Sequence, residues 1–210
     1  MKSHDMYAMA LRSHDFTPVV AYGSAGTGKT YGAVERAVEW LRANKKSKVV
    51  VTRPNVSFAK TLGHLPGDEK DKMEPWVAPV RQNLENFATP GEILDWERKG
   101  RLVYKPLEHI QGLTFDNSFI LLDEAQNCTF DQLKVFLTRT GKYSQVVISG
   151  DIAQTSPYFK GSGLGELIEM INRLGLNIST VQFDRDDILR SEQCKMFIYA
   201  FEDWENINGK

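Results

Sequence analysis

The sequence predicts an α/β fold, a single domain built on a mostly parallel sheet with helices on both faces. The first indication is a set of six short apolar runs with few polar interruptions, a pattern typical of strands covered on both faces. These runs are residues 18–22, 48–52, 101–105, 118–122, 145–149 and 178–183. The second indication is that stretches with helical periodicity separate most of the runs. Strands that alternate with helices form parallel sheets through right-handed crossovers.

The candidate helices carry apolar residues three and four positions apart, which places those residues on one face of a helix. One helix follows a glycine-rich turn, one follows Asp131, and two more lie toward the C-terminal end. Their apolar positions are Ala33, Val34, Ala37, Val38 and Leu41; Leu133, Phe136 and Leu137; Leu164, Leu167, Ile168 and Ile171; and Ile188, Met196, Phe197 and Ala200.

The chain length of 210 residues and the hydrophobic fraction of 41% indicate one domain of ordinary size with a real core. We assign this domain to residues 18–205, with a helical lead-in at 1–17 and a tail at 206–210. Residues 57–91 are predicted to form an insertion of short helices and loops, because prolines punctuate them. These prolines are Pro66, Pro75, Pro79 and Pro90.

Charge and cysteine content narrow the class of protein. The formal net charge of −1 gives no global basic field for a nucleic-acid partner. It does not exclude a local basic groove, because net charge says nothing about how the charges are distributed. Cys128 and Cys194 lie far apart and lack metal-site spacing, as expected for thiols in a reducing cytosol. No run reaches the ~18 apolar residues of a membrane span, and residues 1–15 lack a signal-peptide stretch. We therefore expect a cytoplasmic protein without a membrane partner.

Residues 23–30 match the phosphate-binding pattern GxxxxGK[ST] at every defined position. They are Gly23, Ser24, Ala25, Gly26, Thr27, Gly28, Lys29 and Thr30. Glycines let successive backbone N–H groups point at phosphate oxygens, and the N-terminus of the following helix favours the same anion. Lys29 would reach the β- and γ-phosphates, and the Thr30 hydroxyl would bind magnesium. The sequence therefore predicts a site for ATP with Mg²⁺.

Two adjacent carboxylates, Asp123 and Glu124, directly follow the apolar run at 118–122. At the carboxyl edge of a parallel sheet, Asp123 can hold the magnesium ion through water beside the phosphate loop. Glu124 would then point toward the γ-phosphate, where it can polarise an attacking water. A nucleotide kinase does not need this second carboxylate, so its presence favours an ATPase.

Another polar turn follows the run at 145–149 and ends in Gln154. Gln154 would contact the γ-phosphate or the attacking water, and so report which nucleotide is bound. The alternative is that Asp151 and Gln154 only cap a turn.

Taken in order, these motifs resemble the PhoH-like ATPases, relatives of the core domain of superfamily 1 helicases. The matching segments are GSAGTGKT at 23–30, VVTRP at 50–54, LGHLPGD at 62–68, LLDEAQN at 121–127, FLTRTG at 136–141, SGDIAQ at 149–154, SGL at 162–164 and DDILR at 186–190. The segments VTRP, LGHLPGD and FLTRTG distinguish this family from other P-loop proteins.

The resemblance implies a RecA-like sheet in which the strand at 145–149 lies between the strands at 18–22 and 118–122. It also implies ATP hydrolysis and a role in RNA or single-stranded nucleic-acid metabolism. Two departures from the family pattern stand out. Residues 111–114 read QGLT where many members carry a segment like RGRT, so two positive charges are missing. Residues 6–8 read MYA where helicase relatives often place a glutamine that reads adenine.

By the family pattern, Arg190 is the candidate arginine finger, a cation that stabilises transition-state charge near the γ-phosphate. The alternative for Arg190 is a surface salt bridge with Asp186 or Asp187. The same kind of structural role is slightly favoured for Arg53 and Arg139, although either could serve a neighbour's site or a nucleic-acid groove.

A helicase of this lineage opens and closes two RecA-like domains around ATP, and one domain cannot supply both walls. We therefore expect a homo-oligomer, in the form of a hexameric ring, in which an arginine from the neighbour completes each site. The alternative is a nucleotide-dependent switch or adaptor without motor activity. A P-loop kinase is a further alternative, but the sequence shows no arginine-rich lid.

Two groups of residues are candidates for nucleic-acid contact. Lys45, Lys46 and Lys48 are clustered, although a solvated helix end explains them better than a phosphate track. Tyr158 and Phe159 could stack bases at the edge of a groove, or could belong to a packed loop.

Overall fold

The fold rests on six strands: β1 (Val19–Gly23), β2 (Lys48–Arg53), β3 (Leu102–Pro106), β4 (Ser118–Leu122), β5 (Gln145–Gly150) and β6 (Ser179–Phe183). The computed structural model describes residues 2–13, 15–54, 69–110, 112–151 and 162–207. The strands form one sheet in the order β3-β2-β4-β5-β1-β6, and every pairing is parallel. Each apolar run identified in the sequence is a strand, and β5 lies between β1 and β4 as the family resemblance implies.

Seven helices accompany the sheet in the described part of the chain. They are α1 (Ser3–Leu11), α2 (Lys29–Ala43), α3 (Glu69–Leu84), α4 (Pro90–Arg98), α5 (Phe130–Leu137), α6 (Gly163–Leu174) and α7 (Glu192–Ile207). None of these helices combines the length and the hydrophobicity that a membrane span requires.

The core consists of two apolar layers, one on each face of the sheet. Because successive strand residues point to opposite faces, Val19 and Ala21 of β1 belong to one layer and Val20 to the other. Residues of α1, α2, α3 and α4 cover the first layer, and residues of α5 and α6 cover the second. All five residues of β4 are buried, which explains why residues 119–122 of this strand form a continuous apolar run. The predicted α/β fold with helices on both faces is confirmed.

The connections leave a crevice at the carboxyl ends of the central strands. The chain leaves β1 for α2 on one face, whereas it leaves β4 for α5 on the other face. Open parallel sheets bind ligands where the connections diverge in this way. The turn at 23–30 and the pair Asp123 and Glu124 both lie at this edge.

Helix α3 corrects the expectation of short helices and loops within residues 57–91. Residues 57–68 of that insertion lie outside the described residues, but α3 is one helix of 16 residues that runs through Pro75 and Pro79. An interior proline costs about 3 kcal/mol, whereas each fully buried Val or Leu contributes about 1.5–3 kcal/mol. Val77, Val80 and Leu84 of α3 are all buried, so together their burial offsets the cost of about 6 kcal/mol for two prolines.

Helix α7 corrects the expected apolar face of the last helix. Met196 is 56% exposed and Phe197 is 52% exposed, and Ile188 is buried ahead of the helix rather than within it. Polar contacts hold the opposite side of α7 to the domain. The ion pair between Arg185 and Glu202 joins that side to the domain, and the side that carries Met196 and Phe197 faces outward.

Candidate nucleotide-binding site

A cavity of about 660 Å³ opens at the carboxyl edge of the sheet. Its floor is the loop between β1 and α2, and the ends of β2, β4 and β5 form one wall. Leu189 and Arg190 form part of the rim. Binding pockets for ligands of nucleotide size usually fall within this volume range.

The backbone of the phosphate loop is shaped by close approach to β6. Gly23 has a φ of 123°, and a Cβ atom at this position would lie 1.9 Å from the Phe183 carbonyl oxygen. The same oxygen accepts a hydrogen bond from the Ser24 N–H at 3.2 Å. Glycine is therefore required for the loop to begin against the neighbouring strand.

Lys29 is the first residue of α2 and is only 8% exposed. Its ammonium group donates to the Gly23 and Ser24 carbonyls at 2.8 and 2.7 Å and to the Thr27 hydroxyl at 3.2 Å. Burial lowers the pKa of Lys29, and the charge of Asp151 opposes this effect. The lysine thus lies inside the loop that its sequence motif defines, with a carboxylate nearby.

Thr30 and Asp123 meet across the cavity floor. The Thr30 hydroxyl donates to Asp123 Oδ1 at 2.8 Å, although 93 residues separate the two in sequence. Asp123 is 2% exposed and directly follows β4. A hydroxyl and a carboxylate side by side are oxygen ligands of the kind that Mg²⁺ prefers, directly or through water. These residues fit a magnesium-bound triphosphate on the loop.

Glu124 lies at the mouth of the same pocket. Its backbone is left-handed, with a φ of 57°, an arrangement that non-glycine residues adopt mainly at constrained sites. The side chain retains exposed surface, yet partial removal from water by the pocket walls raises the pKa of its carboxyl group. The negative charge of Asp123 raises this pKa further, and Arg53 opposes the shift.

Gln126 is a site residue to which the sequence analysis gave no role. Its side-chain amide donates to Glu124 Oε2 at 2.7 Å, and its oxygen accepts from the Asp151 N–H at 3.0 Å. Gln126 is 3% exposed, so it links the carboxylate of Glu124 to the end of β5 through buried contacts. Its position two residues after Glu124 is the sequence feature that could have indicated this role.

Ser149 and Gly150 at the end of β5, and Asp151 directly after it, line the cavity. Gln154 lies outside the described residues, as do Tyr158 and Phe159, so their proposed contacts stay predictions. Lys45, Lys46 and Lys48 lie at the opposite edge of the sheet, where α2 ends and β2 begins.

Arg190 lines the pocket of its own chain. The Leu189 N–H donates to the Gly26 carbonyl at 2.9 Å, which holds this segment against the phosphate loop. A Cβ atom at Gly26 would lie 2.9 Å from Arg190 Cγ, so the arginine stem passes directly over the glycine. Among the described residues no ion pair joins Arg190 to Asp186 or Asp187, so the salt-bridge alternative finds no support.

Arg53 and Arg139 have different surroundings. Arg53 makes an ion pair with Asp123, and the two side chains are 14% and 3% exposed. It therefore lies in the pocket of its own chain rather than on the outer surface. Arg139 follows α5 and is not among the residues that line the cavity.

Helix α1 packs against the back of the phosphate loop. His4 Nε2 lies 2.9 Å from the Thr27 carbonyl oxygen, and the Tyr7 hydroxyl donates to the Lys29 carbonyl at 3.0 Å. The segment at 6–8, where helicase relatives often place an adenine-reading glutamine, therefore belongs to a helix that supports the loop. Helix α7 also reaches the loop, because the Ser24 hydroxyl donates to Glu202 at 3.2 Å.

The fold and the site together define a P-loop NTPase-type domain with a RecA-like sheet. The chain belongs to the PhoH-like protein family, whose family model matches residues 2–202.

The similar curated proteins carry the same description. A PhoH-like protein of Synechocystis is 36% identical over 201 residues, which cover 95% of this chain and 60% of that protein. A PhoH-like protein of Bacillus subtilis is 36% identical over 197 residues, which cover 93% of this chain and 61% of that protein. The chain thus spans about 60% of the length of these relatives.

Among solved structures, the large terminase from a thermophilic bacteriophage is similar with a TM-score of 0.58 and 13% sequence identity. The match covers 91% of this chain and 48% of the terminase chain. At this level of identity the likeness concerns the fold alone.

Proposed function

We propose that this chain binds ATP with Mg²⁺ and hydrolyses it to ADP and phosphate. One observation carries the proposal: Lys29, Thr30, Asp123 and Glu124 come from two distant parts of the sequence and line one cavity. Each has the chemical character that its step requires, namely a cation for phosphate, a hydroxyl and a carboxylate for the metal, and a second carboxylate for water.

Each residue of the site has its own role in the proposed reaction. Backbone N–H groups of residues 25–30 and the Lys29 ammonium bind the phosphates. Thr30 and Asp123 would hold the magnesium ion, which would neutralise charge on the phosphate oxygens. Glu124 accepts a proton from water as the water oxygen bonds to the γ-phosphorus and the bond to the ADP oxygen breaks. Gln126 holds the Glu124 carboxylate in position from the end of β5.

The balance of charge at the cavity supports this assignment. Asp123, Glu124 and Asp151 contribute carboxylates, and Lys29, Arg53 and Arg190 contribute cations. These three cations and three carboxylates balance one another, so the negative charge of a triphosphate calls for the magnesium ion that accompanies it. We propose that Arg190 stabilises the charge that develops on the transferred phosphoryl group, within its own chain, and that Gln154 contacts the same group.

The Glu124→Gln variant separates the candidate activities. An ATPase should lose phosphate release while it keeps its affinity for ATP, because the amide cannot accept the proton but leaves the loop intact. A switch or adaptor without turnover would release no phosphate even as wild type. A P-loop kinase would consume ATP only when an acceptor is present. Steady phosphate release by the Glu124→Gln protein at the wild-type rate would refute the role of Glu124.

We also propose that turnover is coupled to RNA or single-stranded nucleic acid. The support is the resemblance of the motifs to the core domain of superfamily 1 helicases. The test measures ATP turnover with and without single-stranded RNA and DNA, with Lys29→Ala as the control for contaminating ATPases. Stimulation that collapses as salt rises supports the coupling, since phosphate contacts are salt-dependent. Turnover that neither nucleic acid changes at low salt refutes it.

Assembly into a homo-oligomer, with a hexameric ring as the expected form, is a further part of the proposal, although Arg190 of the same chain takes the place of the arginine expected from a neighbour. Helix α7 supports assembly, because several large apolar side chains on this helix are exposed. They are Met196, Phe197, Phe201, Trp204 and Ile207. Sedimentation with ATP and Mg²⁺ tests the assembly, and a strictly monomeric protein with full activity would contradict it.

A further inference from the structure

Arg53 engages the residue that the proposed function assigns to magnesium. Its Nε donates to Asp123 Oδ2 at 3.0 Å, and its Nη2 lies 2.5 Å from the same oxygen. The other oxygen, Oδ1, accepts from the Thr30 hydroxyl at 2.8 Å. Both oxygens of Asp123 therefore have protein partners, and one partner carries a full positive charge.

The sheet itself builds this contact. β2 and β4 are neighbouring parallel strands in which Thr52 pairs with Leu122, and the Asp123 N–H donates to the Thr52 carbonyl at 3.0 Å. Arg53 and Asp123 are the next residues along these two strands. Their contact therefore follows from the register of buried strands and does not depend on a loop.

A divalent cation at Asp123 and the guanidinium of Arg53 would share one carboxylate. Two positive charges a few ångströms apart repel each other strongly where little water screens them. The surroundings are of this kind, since the two side chains are 14% and 3% exposed. Metal binding must therefore weaken the ion pair, and the ion pair must weaken metal binding.

We propose that Arg53 and the magnesium ion compete for Asp123. Binding of the magnesium nucleotide then releases the Arg53 guanidinium toward the phosphates of the nucleotide in the same cavity. Arg53 lines the cavity, so the released group stays beside the nucleotide. It then acts as a further cation of the site, supplied in cis, in addition to Lys29 and Arg190. This inference rests on the proposed magnesium nucleotide site.

The first test uses magnesium chloride alone, with sodium chloride at equal ionic strength as the reference. Thermal melting of the Arg53→Gln protein should rise with magnesium at a concentration about tenfold or more below that needed by wild type, the factor that one charge-assisted contact is worth. Arg98→Ala is the matched control, because Arg98 is an exposed arginine of α4 outside the cavity. It should respond to magnesium as wild type does.

The partner residue supplies a second control. In the Asp123→Asn background the Arg53→Gln change should no longer alter the magnesium midpoint, because the shared carboxylate is gone. If Arg53→Gln proves too unstable to melt cooperatively, Arg53→Lys keeps a cation with fewer contacts and should show a smaller shift in the same direction. An unchanged or higher magnesium midpoint in the Arg53 variants would overturn the competition.

Activity provides a separate readout. The Arg53→Gln enzyme should need less magnesium than wild type for half-maximal binding of a fluorescent ATP analogue. It should hydrolyse ATP about 10³-fold more slowly, because no released guanidinium stabilises transition-state charge. Turnover at the wild-type rate would remove the second role of Arg53. Absence of ATP binding by wild-type protein would instead refute the proposed function, while the magnesium melting experiment would still decide whether Arg53 and the metal compete.

Discussion

Substitution of alanine for Gly23 is expected to damage both the fold and the phosphate loop. The added Cβ atom would lie 1.9 Å from the Phe183 carbonyl oxygen, whereas real Cβ contacts essentially never fall below 3.0 Å. The strands must therefore separate by at least the difference, 3.0 − 1.9 = 1.1 Å. Such a shift breaks the 3.2 Å hydrogen bond from the Ser24 N–H to the same oxygen.

Three contributions give the expected loss in the free energy of unfolding. Loss of the hydrogen bond costs about 1 kcal/mol, and alanine at this φ of 123° adds strain of about 1–3 kcal/mol. With some repacking around Phe183, we expect a loss of about 3–5 kcal/mol in the free energy of unfolding. For a domain of this size, the melting temperature should fall by about 6–20 °C.

Gly165→Ala is the matched control for this substitution. Gly165 lies in α6, and an added Cβ atom would meet nothing within 4 Å. Alanine should therefore stabilise the helix by about 0.5–1 kcal/mol. Thermal melting and ATP titration of both variants make the comparison. Equal melting temperatures, or wild-type ATP affinity in Gly23→Ala, would refute the reasoning.

Three further predictions concern stability and thiol reactivity. Tyr7→Phe removes the hydrogen bond to the Lys29 carbonyl and should cost about 1 kcal/mol, or about 2–4 °C in melting temperature; an unchanged melting temperature would contradict this. Thr129→Ala removes the capping box of α5 and should cost about 1 kcal/mol in denaturant titrations, without loss of ATP affinity. Burial raises the pKa of Cys128 to about 12, so a thiol reagent at pH 8 should modify only the exposed Cys194 until the protein unfolds. Rapid reaction of both thiols in the folded protein would contradict the burial of Cys128.

The sheet and the phosphate loop could be predicted from the sequence because their constraints are local. Strands buried on both faces are mostly apolar, as in residues 119–122 of β4. The loop at 23–30 carries its own geometry in its glycines, and the following helix begins at Lys29. Such signals lie within a few residues of one another, so a single sequence is enough to detect them.

Other features depend on contacts between distant segments. The ion pair between Arg53 and Asp123 joins residues 70 positions apart, and only the register of β2 on β4 brings them together. Two prolines in α3 suggested a break, yet the combined burial of Val77, Val80 and Leu84 offsets that local preference.

The outward apolar face of α7 has the same kind of origin. The spacing of its apolar residues predicts a helix but does not reveal which side packs. That side is set by contacts with distant residues, among them the ion pair between Arg185 and Glu202, which lies away from the apolar face.

Calorimetric titration of ATP with Mg²⁺ into wild-type protein and into Lys29→Ala tests the nucleotide site most directly. We expect saturable binding at one site per chain for wild type. We expect a loss of affinity of tenfold or more for Lys29→Ala, because a buried charge-assisted contact to phosphate is worth at least about 1.4 kcal/mol. Failure of the wild-type protein to bind ATP, or equal affinity of the two proteins, would contradict the assignment of this cavity to a nucleotide.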